Sequence, residues 1–279
     1  MKKRILVALG LLLATALGLT ATAGYLTFVR SAENPPAEAC GGRPRSGPVV
    51  VAAGASMTQG TLGANWVDAL RDRPEHRGYA FVNAGINGDT SGDLRKRVDS
   101  DIVACGPDAV TILVGSNDVL DGVPVADYRA DLGAIVDRVK EKTSARIALM
   151  SLPPLGEDLD SPRNRKLGDY NAAIKETAAR AQVDYLPVHE QAVDFLRKSG
   201  GAETPFGFDF AVALKAGAEH YLLGQSWDDV SRGNGLTLLV DHLHLNDRGG
   251  AIVTGLVARW LSEGQATPSR SHPASGTRP

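Results

Sequence analysis

Four short segments, far apart in the chain, carry residue types that could cleave an ester. They are Gly54-Ala55-Ser56, Asn87-Gly88-Asp89, Gly115-Ser116-Asn117-Asp118 and Asp241-His242-Leu243-His244. A serine hydroxyl is a poor nucleophile until a base takes its proton. His244 is the candidate base for Ser56. Asp241, three residues earlier, is close enough for a turn to bring its carboxylate to the far ring nitrogen, where it would fix the tautomer and stabilise the imidazolium. The Asn117 amide and the backbone at Gly88, where no Cβ holds a substrate off, are candidates for binding a developing oxyanion. Asp89 and Asp118 read as loop braces.

Each segment alone has a duller explanation. A serine after a strand is more often a turn or cap residue, Asn-Gly and Ser-Asn-Asp are common turn compositions, and six histidines make a chance Asp-x-x-His unremarkable. Together and in this order they complete the inventory of acyl transfer: nucleophile, base, orienting acid and oxyanion donors. His242 reads as a bystander, and His76, His189, His220 and His272 have no motif around them. A metal site on His242 and His244 would need carboxylate or Cys partners at ligand spacing, and none is present. No metal is expected there.

The elements that must position these residues alternate. Apolar runs at Pro48–Ala53, Tyr79–Asn83, Ala109–Val114, Arg146–Met150 and Val183–Val188 read as strands, the first a continuous run of the kind buried on both faces. Amphipathic stretches at Ala64–Arg73, Ser91–Ala104, the Tyr128–Val139 region, Asn164–Ala181 and Asp247–Leu261 read as helices. Such alternation predicts an α/β fold with a parallel sheet covered on both faces. In such sheets chemistry sits beyond the carboxyl ends of the strands. Ser56, Gly88 and Asn117 each follow a strand end within a few residues. Thr204–Asn234 interrupts the pattern, and its aromatics (Phe206, Phe208, Phe210, Tyr221, Trp227) are expected to wall or cover the cleft.

The 279-residue chain holds one domain, expected over 48–263, between two unlike ends. Residues 1–30 open with Lys2, Lys3 and Arg4 and run uncharged from Ile5 to Val29, as a signal peptide ending near Ala21-Thr22-Ala23 or as an uncleaved anchor. Both place the N-terminus in the cytoplasm and export the rest, to be secreted or held at the membrane. The apolar extension Tyr25–Val29 tips the balance toward an anchor. Residues 31–47 read as a linker and 264–279 as a disordered tail. Basic residues number 30 against 32 acidic; the leader holds four of the basic ones, leaving 26 against 32, with no basic cluster for a nucleic-acid partner. Cys40 and Cys105 lie in the exported part, where an oxidising compartment would let them pair.

The four segments resemble the conserved blocks of the SGNH (GDSL-type) hydrolase superfamily, and the likeness covers almost all of Val49–Leu261. It implies a flavodoxin-like three-layer α/β/α sandwich with five parallel strands ordered 2-1-3-4-5, and a serine esterase or lipase that needs no cofactor. The catalytic residues would be Ser56, Asp241 and His244, with an oxyanion hole of the Ser56 and Gly88 N–H groups and the Asn117 side chain. That strand order sets the first and third strands side by side. Cys40 and Cys105 each precede one of them, so a disulfide between the two is expected. The family's first block usually reads Gly-Asp-Ser, whereas Ala55 stands here in place of the aspartate. The resemblance thus implies an exported hydrolase acting through an acyl-enzyme on small-molecule, lipid or glycan esters, with membrane contact if the leader is uncleaved. Its alternatives are an acyltransferase acting on a sugar or lipid hydroxyl and a non-catalytic envelope glycan-binding protein. An α/β-hydrolase is disfavoured, because Thr58 breaks Gly-x-Ser-x-Gly and acid and base lie only three residues apart.

Overall fold

The computed structural model describes residues 2–40, 47–200 and 204–265. In chain order the elements are α1 (Lys2–Gly24), continued by a wider π-type turn over Tyr25–Val29, α2 (Pro36–Ala39), β1 (Val49–Gly54), α3 (Ser56–Gln59), α4 (Trp66–Arg71) and β2 (Ala80–Gly85). Next come α5 (Ser91–Lys96), α6 (Val98–Asp101), β3 (Ala109–Leu113), α7 (Ser116–Asp121), α8 (Val125–Lys142) and β4 (Arg146–Met150). The chain then forms α9 (Pro162–Ala181), β5 (Asp184–Leu186), α10 (Val188–Ser199), α11 (Phe210–Tyr221), α12 (Trp227–Gly233) and α13 (Asp247–Gln265). The strands form one parallel sheet in the order β2-β1-β3-β4-β5. Helices α5, α8 and α9 pack together over one face, and α4, α10 and α13 group over the other. The flavodoxin-like α/β arrangement expected from the sequence is therefore present.

β1 lies inside the sheet, between β2 and β3, because it can be covered everywhere. All six residues of Val49–Gly54 are buried, with β2 hydrogen-bonded on one side and β3 on the other. The strand ends nearest the site are crowded. A Cβ at Gly54 would lie 2.3 Å from the Leu113 carbonyl oxygen, and one at Gly85 would lie 2.2 Å from the Gln59 nitrogen. These contacts are below any tolerable separation, so both positions need glycine to let the following loops converge.

Two expectations change. The helix expected over Ser91–Ala104 breaks at Arg97 (φ −110°, ψ 10°) into α5, α6 and a short 3₁₀ turn. The Arg97 guanidinium turns inward there to reach the ends of β1 and β2. The segment Thr204–Asn234, expected to wall or cover the cleft with all five of its aromatics, holds α11 and α12, and Trp227 is instead buried beneath His220, which stacks on it at 3.9 Å.

The N-terminal segment has two regimes. Residues 3–22 are exposed throughout. The helix that contains them, Lys3–Val29, is long and apolar enough to cross a membrane. From Ala23 onward the chain is built into the body. Ala23 and Thr27 are fully buried, the Asn83 N–H donates to the Asn34 carbonyl along the outer edge of β2, and the Gln59 amide donates to the Arg30 carbonyl at 2.7 Å. Of the tail expected over 264–279, Gly264 and Gln265 complete α13, and 266–279 lie outside the described residues.

Cys40 and Cys105 are disulfide-bonded across 65 residues, tying the segment before β1 to the turn before β3. A closed loop of that length restricts the unfolded chain by on the order of 4 kcal/mol in the chain-entropy model. The double variant Cys40→Ser/Cys105→Ser is expected to unfold at lower urea, with about that loss of stability. An unchanged midpoint would show that the crosslink contributes nothing.

Candidate active site

Ser56 opens α3 directly after β1, following Ala55 in a non-helical conformation (φ −107°, ψ −143°). Being in the first turn, its N–H has no acceptor within the helix. Its hydroxyl lies 2.8 Å from His244 Nε2, and His244 Nδ1 lies 2.8 Å from Asp241 Oδ2. An ionised carboxylate can only accept, so Nδ1 carries the ring proton and Nε2 is left to accept from the Ser56 hydroxyl. The other Asp241 oxygen accepts from the His244 and Leu243 N–H groups at 2.8 and 3.1 Å, folding Asp-x-x-His into a closed turn. Asp241 is fully buried and His244 nearly so. Burial works against the charge on Asp241, but the His244 ring and these N–H donors outweigh it and hold the carboxyl below its ordinary range.

The turn carrying this pair is anchored from below. The buried Glu157 carboxylate accepts from the N–H groups of Thr237, Leu238 and Leu239 at 2.7–3.0 Å, gripping the strand-like run that leads to Asp241. The Gly156 N–H donates to the His242 carbonyl at 2.7 Å. His242 adopts φ +67°, a left-handed conformation that is costly for a residue with a Cβ, and faces Phe206, away from the Ser56 contact. The Ala64 N–H donates to the Leu245 carbonyl, joining the loop after Ser56 to the loop after His244. Glu157 carries no sequence signal that could have pointed to this task.

Gly88 and Asn117 lie on the other side of Ser56, lining the same cleft. Gly88 has φ +83° with open space where a Cβ would stand. The Asn117 amide donates one N–H to the Asp89 carbonyl at 2.8 Å, fixing the side chain and leaving the second N–H free to meet an oxygen in the cleft. Asp118 accepts from the Ser91 N–H and hydroxyl, the latter at 2.5 Å, binding the start of α7 to that of α5. Burial pushes the Asp118 carboxyl up, against those hydrogen bonds. Arg97 is the unforeseen hub. It ion-pairs with Asp89 at 2.7 Å and donates to the carbonyls of Ala84 and Gly54 at 2.9 and 3.0 Å. This cation holds together the strand ends from which the Ser56 and Gly88 loops depart.

The cleft has a volume of about 410 Å³ and is mostly apolar. Phe206, Phe208 and Phe210 line it as expected, with Phe208 edge-on to His244 at 5.9 Å; Tyr221 and Trp227 do not. Leu62, Leu120 and Leu243 contribute further, and so do Thr27 and Phe28 from the N-terminal segment, which sequence reasoning treated only as a leader. Among the described residues no group of three or more His, Cys, Asp or Glu is placed to hold a metal ion.

Comparison with known proteins fits this geometry. An acetylxylan esterase of Geobacillus stearothermophilus is 31% identical over 111 residues, which is 36% of this chain and 50% of that protein; the chain thus spans about half the length of the curated relative it matches. Solved structures with the same fold include the acetyl xylan esterase AlAXEase (TM-score 0.57, 17% identity, 76% of this chain and 99% of that one). They also include the acetylxylan esterase Axe2 from Geobacillus stearothermophilus (0.55, 21%, 77% and 95%) and an α/β hydrolase from a Lake Arreo metagenome (0.56, 18%, 77% and 95%). The family model described as GDSL-like lipase/acylhydrolase matches residues 52–252, a span that begins inside β1 and ends inside α13 and so takes in all four segments. By that match, over more than half of its length, the chain belongs to the GDSL-like lipase/acylhydrolase family.

Proposed function

We propose that the protein is an exported carboxylic-ester hydrolase working through a serine acyl-enzyme. The observation that carries this reading is the unbroken line Ser56–His244–Asp241, two contacts of 2.8 Å each. Ser56 Oγ attacks the acyl carbonyl while His244 Nε2 takes its proton. The carbonyl oxygen becomes an oxyanion that the Ser56 and Gly88 N–H groups and the free Asn117 N–H can stabilise. Collapse expels the alcohol, which receives the proton from His244. Water, activated by the same imidazole, then releases the acid and restores Ser56. Asp241 holds the tautomer that lets Nε2 act as a base. A binding protein without activity would have no need of a buried carboxylate placed behind an imidazole that already touches a hydroxyl. Likeness to acetylxylan esterases supports ester hydrolysis, and the apolar lining favours an acyl group larger than acetyl.

Ser56→Ala is expected to lower kcat for p-nitrophenyl esters by at least about 10⁴-fold, and Asp241→Asn by about 10³–10⁴-fold because the imidazole loses its tautomer. Retained turnover in the folded Ser56→Ala protein would end the mechanism. Asn117→Ala removes one oxyanion donor and should lower kcat by about 10²–10³-fold, the equivalent of roughly 3–4 kcal/mol. A rise in KM alone would instead assign Asn117 to ground-state binding.

The sign of the pH dependence follows from Asp241. A carboxyl held below its ordinary range protonates only when the pH falls below that lowered value, so Asp241 stays charged across about pH 5–8. Its support of the imidazole is therefore kept through that window and lost only as the pH falls below the lowered value, so the part of kcat/KM that depends on Asp241 should fall only on the acid side. Full kcat/KM retained by Asp241→Asn across that window would contradict the role given to Asp241.

A further inference from the structure

We propose that the N-terminal helix is a retained membrane anchor whose last turns form one wall of the active-site cleft, so that the enzyme takes esters carried in the membrane that tethers it. This rests on the esterase reading and adds the substrate's location and the residue that selects it. The exposed stretch 3–22 is about 20 residues, or about 30 Å of helix, the thickness of a bilayer's hydrocarbon core. Contact with the body begins directly after it, at Ala23, and recurs at helical spacing at Thr27 and Arg30.

That contact is close. Thr27 lies so tightly on α11 that a Cβ at Gly217 would come within 1.9 Å of its hydroxyl, and Gly24 faces Leu214. The Arg30 guanidinium donates to the Tyr221 hydroxyl at 3.1 Å and lies over that ring. Cleavage after Ala23 would place a charged α-ammonium at Gly24, against the Leu214 side chain, and strip the next turn of its helical hydrogen bonds. Both changes are costly in an apolar contact. The turn so threatened carries Phe28, whose ring lies edge-on to Phe210 at 5.6 Å and whose carbonyl accepts from the Asn87 amide, the residue before Gly88. Phe28 is five residues beyond Ala23, about 8 Å along the helix axis. The cleft therefore opens at the depth of the lipid headgroups. Tyr25, Val29 and Phe210 expose apolar surface in the same zone, Tyr25 being of the kind that settles at a membrane interface. A lipid surface accounts for all three.

The test uses the full-length chain with a C-terminal tag. Its intact mass is expected to include residues before Gly24, and the protein should stay with membranes through an alkaline carbonate wash. A soluble product beginning at Gly24 or later overturns the proposal. In phosphatidylcholine vesicles, the ratio of kcat/KM for a bilayer-borne decanoyl ester to that for a water-soluble acetyl ester should fall at least tenfold in Phe28→Ala and recover in Phe28→Leu. Equal losses on both substrates, or no change in the ratio, would also overturn it. Labelling of Ser56 by a fluorophosphonate separates the two readings. Labelling with an unchanged ratio sinks this inference alone, and absent labelling in the folded protein sinks the esterase reading as well.

Discussion

One hydrogen bond, from the Ser56 hydroxyl to the His244 ring, spans 188 residues of chain, and the surrounding loops are organised to keep it at 2.8 Å. Nothing local can make such a contact. β1 delivers Ser56 to the carboxyl edge of the sheet. The run gripped by Glu157, followed by the closed Asp241–His244 turn, brings the imidazole to the same edge. The Ala64–Leu245 backbone bond joins the two loops directly, so an error in either would be felt by the other. Proximity of this kind is worth several kcal/mol to a reaction only when the geometry is fixed in advance.

Fixing it takes both crowding and charge. Gly54 and Gly85 are places where backbone and neighbouring loops already occupy the space of a Cβ, so the loops bearing Ser56 and Gly88 converge as closely as backbone permits. Arg97 then links the two strand ends through Gly54, Ala84 and Asp89. Such a partly buried guanidinium is well suited to the task, because its planar fork reaches several acceptors at once. The break it makes between α5 and α6 is the conformational consequence. Asp118 does the equivalent for the loop carrying Asn117, drawing in the start of α5 through Ser91.

The apolar side of the cleft has a different origin. Phe206 and Phe208 come from the segment leading into α11, Phe210 from its first turn, and Phe28 from the end of the N-terminal helix. The wall is thus assembled from parts outside the alternating βα core, which leaves the reactive centre tied to the sheet while the lining is set by appended segments. Membership in the GDSL-like lipase/acylhydrolase family concerns the former, and the residues around Phe28 belong to the latter, since the family match begins only at residue 52.

Strand and helix order, the parallel sheet, the four segments that meet at the cleft and the disulfide partners were legible in the amino-acid sequence because each leaves a local or pairwise mark: an apolar run, a helical spacing, a glycine at a strand end, two cysteines. The Asp241–His244 pair is likewise set within four residues. The roles of Arg97 and Glu157 left no such mark, since a charged residue on an amphipathic helix or in a loop reads as solvated until folding shows which carbonyls or N–H groups it meets. Thr27 and Phe28 were hidden for a related reason: an apolar leader looks the same whether its last turn ends in lipid or against α11. Sequence determined which chemistry the chain could offer. Tertiary structure alone decided which distant groups touch, because those contacts depend on how far apart the sheet holds its strand ends and on how closely their glycines let the loops approach.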